Sequence, residues 1–399
     1  MLTGRAFAVL AAGLLLWIGS RVAGSPGLHI VALGLVLLVP LSWITMRTGK
    51  HRLVATRRFT TRRAHAGARV RVSLEVENPT RSRTPLLMLE DRLPPALGRG
   101  ARAVLGGIPA GERQSISYVM TCSRRGRYRV GPLTATLTDP LGLAKVQLPF
   151  PERHELVVYP EVEDLRDRAT ARSTGGAGET TARQLYRTGE DFYTMREYEM
   201  GDDLRRIHWR STARTGTLMI RQDEAARRAS VTVVLDTRAE AFGGSLEAFE
   251  RGVSAAASIG TMYLRQGTTV RLATSDSAPR RVTTDGLLEA LAVVGRATTL
   301  AATPLTPRDA APGGSSLVLV TGPPSAGEVP GLLRGAAPYP HRLAILITHR
   351  TRKDGDPARA TTTTLQRAGW EVLILPPGGS LRDAWNGIGS RAITTAARS

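Results

Sequence analysis

Apolar residues follow three regimes along the 399-residue chain. They are nearly unbroken from 6 to 46, alternate with polar residues from about 54 to 160, and recur after 229 as short runs between helical patterns. The first regime contains Ala6–Ser20, AFAVLAAGLLLWIGS, and Leu28–Met46, LHIVALGLVLLVPLSWITM. A bilayer-spanning helix needs about 20 apolar residues, with a range of roughly 17–25. The second stretch meets this alone. The first meets it when lengthened to Ala23, with Arg5 and Arg21 able to snorkel to the interfaces. The turn Arg21–Gly27 contains Gly and Pro, so residues 1–50 read as a hairpin of two spans, about 6–23 and 28–46. Trp17 and Trp43 lie near span ends, where interfacial aromatics concentrate. Val22-Ala23-Gly24 also resembles a small-residue cleavage site, which leaves a removable signal peptide open for the first stretch.

The second regime has period two: Val70, Val72, Leu74 and Val76 alternate with Arg71, Ser73 and Glu75 until Asn78-Pro79 breaks the run. Further strands are expected at Leu86–Leu89, Ser115–Thr121, Tyr128–Val130 and Leu133–Leu137. Short strands at such spacing suggest a β-sandwich-like domain over 54–160. Arg124–Leu143 reads as a hairpin-like pair closed by Gly131-Pro132 and Asp139-Pro140, with its arginines on a solvated edge. A polar, Gly- and Thr-rich linker is expected over 161–188.

The third regime alternates strands and helices. Strands are expected at Val231–Leu235, Thr269–Ala273, Ser316–Val320, Leu343–Ile347 and Glu371–Leu375. Helices are expected at Leu246–Arg265, Gly286–Val294, Glu328–Leu333 and Thr362–Ala368. This order predicts an α/β domain over 217–399 with a mostly parallel sheet covered on both faces. Ligands of such sheets bind at the carboxyl ends of strands, here near Asp236, Asp276 and Thr321-Gly322.

Charge changes the picture most at 189–216, where acids, arginines and aromatics crowd together. Asp202 and Asp203 precede a short helix expected from about Leu204 to Arg214, which Gly216 would stop and Thr217–Ile220 would follow as an edge strand. Leu204, Ile207 and Ser211 share its inward face. Capping explains the two aspartates; general acid–base work or cation binding is the alternative. Arg196, Arg205, Arg210 and Arg214 could clamp an anion or pair with Glu190, Glu197 and Glu199. His208 beside Trp209 reads as a packed side chain. A hydrolase using Asp202, Asp203 and His208 is one alternative function and a passive scaffold another.

The net charge is +20, with only three lysines among 54 basic residues. The basic residues are spread along the chain without a nucleic-acid module pattern, so no nucleic-acid partner is expected. Cys122 is the only cysteine, which excludes an internal disulfide and any multi-cysteine metal site.

The chain resembles the bacterial domain-of-unknown-function 58 family. The resemblance is carried by Gly189, Phe192, Arg196-Glu197-Tyr198, Gly201-Asp202-Asp203, Arg205, Ile207, Trp209 and Ala213-Arg214-Thr215. It is supported by Arg125-Gly126-Arg127-Tyr128, Gly131-Pro132, Asp139-Pro140, Gly142-Leu143 and Tyr159-Pro160. The resemblance implies two N-terminal spans and a von Willebrand factor A-like domain. It also implies an adaptor role beside a MoxR-type AAA+ ATPase and a transglutaminase-like membrane protein, with no catalysis and no cofactor. An A-type metal-ion-dependent adhesion site would use Asp-x-Ser-x-Ser after the first strand. Here Asp236 remains, Arg238 and Glu240 replace both serines, and Thr321-Gly322 stands where Thr-Asp-Gly is expected. The site is degenerate, and no Mg²⁺ is expected there in the usual way.

Arg47, Lys50, Arg52, Arg57, Arg58, Arg62 and Arg63 follow the second span, while the connecting turn carries only Arg21. The positive-inside rule therefore puts the soluble domains in the cytoplasm and the protein at the cell membrane. A reporter enzyme active only outside the membrane, fused after Ser399, should be silent; activity there overturns this topology.

Overall fold

Both N-terminal apolar stretches form helices, α1 (Gly4–Ala23) and α2 (Pro26–Thr48). Thr3 caps α1, its Oγ1 accepting from the Ala6 amide at 3.4 Å, and Pro26 opens α2 where a missing N–H costs nothing. Ala6, Gly13, Ala32 and Val39 are buried, while Phe7, Leu15, Ile18, Ile30, Leu37 and Leu41 stay exposed. Small residues inside and large apolar ones outside suit a helix pair whose solvent is lipid. The computed structural model describes residues 1–49, 51–165, 193–198, 207, 209–223, 230–297, 316–348 and 357–386. The chain divides into two compact units, Met1–Tyr159 and Pro160–Ser399.

The first unit continues as ten strands. They are β1 (Val54–Phe59), β2 (Arg63–His65), β3 (Arg69–Glu77), β4 (Leu86–Asp91) and β5 (Ala101–Leu105), then β6 (Arg113–Thr121), β7 (Gly126–Val130), β8 (Leu133–Thr138), β9 (Lys145–Phe150) and β10 (His154–Tyr159). They form three sheets, ordered β1-β3-β6, β2-β10-β7 and β5-β4-β8-β9. The period-two pattern sets which face is buried: Val70, Val72, Leu74 and Val76 all point into one core shared with Leu87, Leu89, Leu137 and Leu156. Arg124–Leu143 is not a hairpin. β7 pairs with β10 and β8 with β4 and β9, so Gly131-Pro132, a cis peptide, carries the chain between sheets.

The Asp139 loop ties the helices to this β region. Asp139 is buried and accepts from Ser42 Oγ at 2.5 Å and from the amides of Leu141 and Ala144. Burial opposes its ionisation, but these donors win and hold the carboxyl below its ordinary value. Thr3 Oγ1 donates to the Gly142 carbonyl at 2.6 Å, and the Thr3 amide donates to the Leu143 carbonyl. Both ends of the hairpin thus meet one loop.

The second unit begins with residues 160–165. Residues 161–165 of the expected linker over 161–188 are described, and they are held against other parts of this unit. Ser258 Oγ receives the Glu163 amide, and the Glu163 carboxylate accepts from Ser380 Oγ and the amides of Leu381 and Arg382, capping a helical turn over 381–386. Residues 166–188 lie outside the described residues. A separate antiparallel ribbon follows, β11 (Tyr193–Glu197) with β12 (Met219–Asp223), and helix α3 (Trp209–Thr215) precedes β12. The expected edge strand is therefore not part of the main sheet.

That sheet holds β13 (Ser230–Leu235), β14 (Thr269–Thr274), β15 (Ser277–Val282), β16 (Ser316–Thr321), β17 (His341–Ile347) and β18 (Glu371–Leu375). Its order is β15-β14-β13-β16-β17-β18, parallel throughout except for the antiparallel edge strand β15. The helices are α4 (Leu246–Arg265), α5 (Thr284–Val293), α6 (Val329–Ala336) and α7 (Pro357–Arg367). Val231, Val233, Val234 and Leu235 are buried in succession, as a strand covered on both faces requires.

Arg57, which the charge pattern places in the membrane-flanking basic cluster, is instead buried in the first unit's core. It grips Asp91 bidentately, Nε to Oδ2 at 3.0 Å and Nη2 to Oδ1 at 2.5 Å, and Tyr118 OH adds a bond to Oδ2 at 2.7 Å. Its Nη1 donates to the Val130 carbonyl and to His154 Nδ1. A Cβ on residue 131 would stand 3.1 Å from Arg57 Nη2, and φ there is +112°, so the position needs glycine. Removing one partner of such a pair strands a buried charge, and Asp91→Ala is expected to cost about 3–5 kcal/mol in denaturant unfolding. Burial, and then the Arg57 charge, lower the His154 pKa. The folded state thus binds fewer protons than the unfolded one, and stability falls as pH drops below the ordinary histidine value of 6.5. His154→Gln should remove that component of the pH dependence, read as the difference between the two proteins' melting profiles.

Candidate functional site

In the six-stranded sheet the chain leaves β13 for β14 on one side, then returns to place β16 on the other. This reversal puts the switch point of the sheet at the carboxyl ends of β13 and β16, the usual position of a ligand crevice in an open parallel sheet. Asp236 stands there, 0% exposed, directly after β13. Every polar direction around it is taken. Arg238 reaches back with Nε to Oδ1 at 3.1 Å and Nη2 to Oδ2 at 2.8 Å, and its amide donates to Oδ1 at 3.0 Å. Ser275 Oγ donates to Oδ1 at 3.1 Å and Thr321 Oγ1 to Oδ2 at 2.9 Å.

Arg238 also bridges outward, its Nη1 meeting Glu328 Oε1 at 2.5 Å. Hydrogen bonding to Asp236 leads the effects that raise the Arg238 pKa, with Glu328 adding to it. Burial pushes the Glu328 pKa up, but Arg238 and the Ser325 amide and hydroxyl outweigh it and hold the carboxyl below its ordinary value. Thr237 Oγ1 donates to Asp276, joining the two loops. Glycine is required after β16, because a Cβ on Gly322 would lie 1.7 Å from the Ala241 carbonyl oxygen.

The cluster joins three sequence-expected residues, Asp236, Arg238 and Thr321, and leaves Glu240 exposed in a short turn. Sequence reasoning missed Ser275 and Glu328. For Glu328 a signal existed: Ser325-x-x-Glu328 has the spacing of a capping box. The donor set does not suit a divalent cation. Both oxygens of Asp236 face a fixed guanidinium, and the hydroxyls of Ser275 and Thr321 donate to the same carboxylate. Chemically the site is a closed ion-pair relay, Asp236–Arg238–Glu328.

The charged segment is the second candidate. Arg196 and Glu197 lie in β11, paired in register with Ile220 and Met219, and the Tyr198 amide donates to the Leu218 carbonyl at 2.8 Å. Ile207 and Ser211 are half-buried, while Trp209 is 68% exposed and Arg210 and Arg214 are exposed beside it on α3. The Thr212 hydroxyl accepts from the Met219 amide, fixing the helix to β12, and Gly216 (φ +77°) ends the helix with its amide on the Thr212 carbonyl. Gly189, Phe192, Gly201, Asp202, Asp203, Leu204, Arg205 and His208 lie outside the described residues, and the described helix begins at Trp209.

Arg238→Ala would leave Asp236 buried without its cation, and a loss of about 3–5 kcal/mol is expected in denaturant unfolding. Glu240→Ala, at an exposed position outside the cluster, should change stability by less than about 0.5 kcal/mol.

Residues 194–306 match the model of the family described as Protein of unknown function DUF58. The uncharacterized protein YeaD of Bacillus subtilis (strain 168) is 26% identical over 226 residues. That match covers 55% of this chain and 55% of YeaD, so the chain spans about half the length of the curated relative it matches. Among solved structures, the CARDB domain of PF1109 from Pyrococcus furiosus is 14% identical, covering 27% of this chain and 87% of that one, with a TM-score of 0.19. The alkylpurine DNA glycosylase AlkC of Pseudomonas fluorescens is 16% identical, covering 36% and 42%, with a TM-score of 0.18. Likeness at that level assigns no fold. The family model lies across the charged segment and the start of the α/β sheet, and over that region, with YeaD as a relative, the chain is similar to the DUF58 family of proteins of unknown function.

Proposed function

We propose that this chain is a membrane-anchored adaptor that works by surface contact. In this reading α1 and α2 hold it in the cell membrane with its soluble units in the cytoplasm. The strand-rich region acts as a β-sandwich, and the second unit acts as a von Willebrand factor A-like domain. Its partners are a MoxR-type AAA+ ATPase and a transglutaminase-like membrane protein of the envelope. The observation that carries the reading is the filled crevice. At the position where an open parallel sheet offers its ligand site, Asp236 is saturated by Arg238, Ser275 and Thr321. A domain closed in this way has its outer surface left to work with, and α3 supplies an exposed Trp209 with exposed Arg210 and Arg214 on the same short helix. Tryptophan and arginine dominate interface energetics when a partner covers them.

The test is capture of the purified MoxR-type ATPase from the same genome by the full chain in detergent. Wild type should retain it, and Trp209→Ala/Arg214→Ala with an unchanged melting midpoint should lose at least about tenfold in affinity. No capture, or equal capture by both proteins, overturns the adaptor reading in favour of a passive scaffold. Hydrolysis of a test substrate that Asp202→Asn abolishes overturns it in favour of catalysis.

A further inference from the structure

A pocket of about 370 Å³ opens where α2 ends, within the range of small-ligand sites, roughly 300–1,000 Å³. Trp43, Met46, Arg47 and His51 line one side, and Lys145 and Val146 of β9 line the other. No acidic residue is among the lining residues. Arg47 is exposed, with its guanidinium carbon 4.9 Å from the Trp43 ring centroid, a cation–π contact between residues one turn apart on α2. His51 Nε2 lies 3.0 Å from the Met46 carbonyl, covering the end of α2. Lys145 is one of three lysines in an arginine-dominated chain, and it is half-buried here. Its level relative to α2 is fixed from both sides. Asp139 receives Ser42 of α2 at 2.5 Å and the amide of Ala144, the residue before Lys145, at 2.6 Å.

We propose that this pocket binds the phosphate of an anionic phospholipid, with Arg47 and Lys145 on the phosphate and Trp43, Met46 and Val146 against the glycerol and upper acyl region. The inference rests on the reading that α1 and α2 span the bilayer. That reading sets the last turn of α2 at the headgroup layer, where interfacial tryptophans and juxtamembrane basic residues meet anionic lipid. A free phosphate would use the cations but not the apolar wall, which favours the lipid source.

The experiment is native mass spectrometry of the full chain released from nanodiscs of equimolar phosphatidylcholine and phosphatidylglycerol. Wild type should retain phosphatidylglycerol preferentially. Arg47→Gln/Lys145→Gln should lower that retention by about tenfold or more, while the charge-matched Arg81→Gln/Arg99→Gln, outside the pocket, should behave as wild type. Equal retention by all three proteins overturns the site. Displacement of the lipid by inorganic phosphate, with phosphate bound in its place, overturns the lipid assignment. Carbonate extraction of cell membranes separates the underlying reading: release of the wild-type chain defeats the anchor itself, whereas a chain that resists carbonate but selects no lipid defeats the pocket alone.

Discussion

Asp236 ends the central strand of the second unit with its carboxylate withdrawn from water, and a charge in that position must be met by another or given up. Here the chain supplies its own cation two residues on, at a spacing that lets one guanidinium cover both carboxylate oxygens. Much of the carboxyl edge of the sheet follows from that choice. Ser275 and Thr321 turn their hydroxyls inward as donors, Glu328 balances the outer face of Arg238, and Gly322 lets the chain pass tightly against Ala241. The crevice is closed by pairing, and nothing in that pairing needs an exchangeable ligand.

The first unit solves a related problem with Arg57 and Asp91. Bidentate geometry, a tyrosine hydroxyl and a backbone carbonyl satisfy the pair, and strands β1, β4, β6 and β10 each contribute one side chain to it. Such a network is weak evidence of net stability, because apolar residues of similar volume could replace it. Its directional bonds do fix which strands meet and where the chain turns at Gly131.

The elements legible in the sequence were those where one pattern dominates. Length and unbroken apolarity announced α1 and α2, alternation announced β3, and runs such as Val231–Leu235 announced the buried parallel strands. Elsewhere two forces competed. The Gly-Pro step at 131–132 looks like a hairpin turn until the β10 and β4 partners, distant in sequence, draw its two strands into different sheets. Strand β15 is mostly exposed and contains a proline, so it leaves no apolar signature. Arg57 looks like any membrane-flanking arginine, because charge pattern is silent about burial. At the Asp236 cluster the carboxylate and its cation were readable from local spacing. Ser275 and Glu328 arrive from loops 39 and 92 residues away (275 − 236 and 328 − 236), which only the sheet topology brings together.

The claim that Arg238 closes the Asp236 carboxylate to any exchangeable ligand is tested most directly by titrating Mn²⁺ into the purified full chain and reading free Mn²⁺ by electron paramagnetic resonance. The free signal should rise in step with added metal, and Asp236→Asn should give the same curve. A saturable loss of free signal that Asp236→Asn abolishes would show Arg238 yielding its place to a cation, and would contradict a closed crevice.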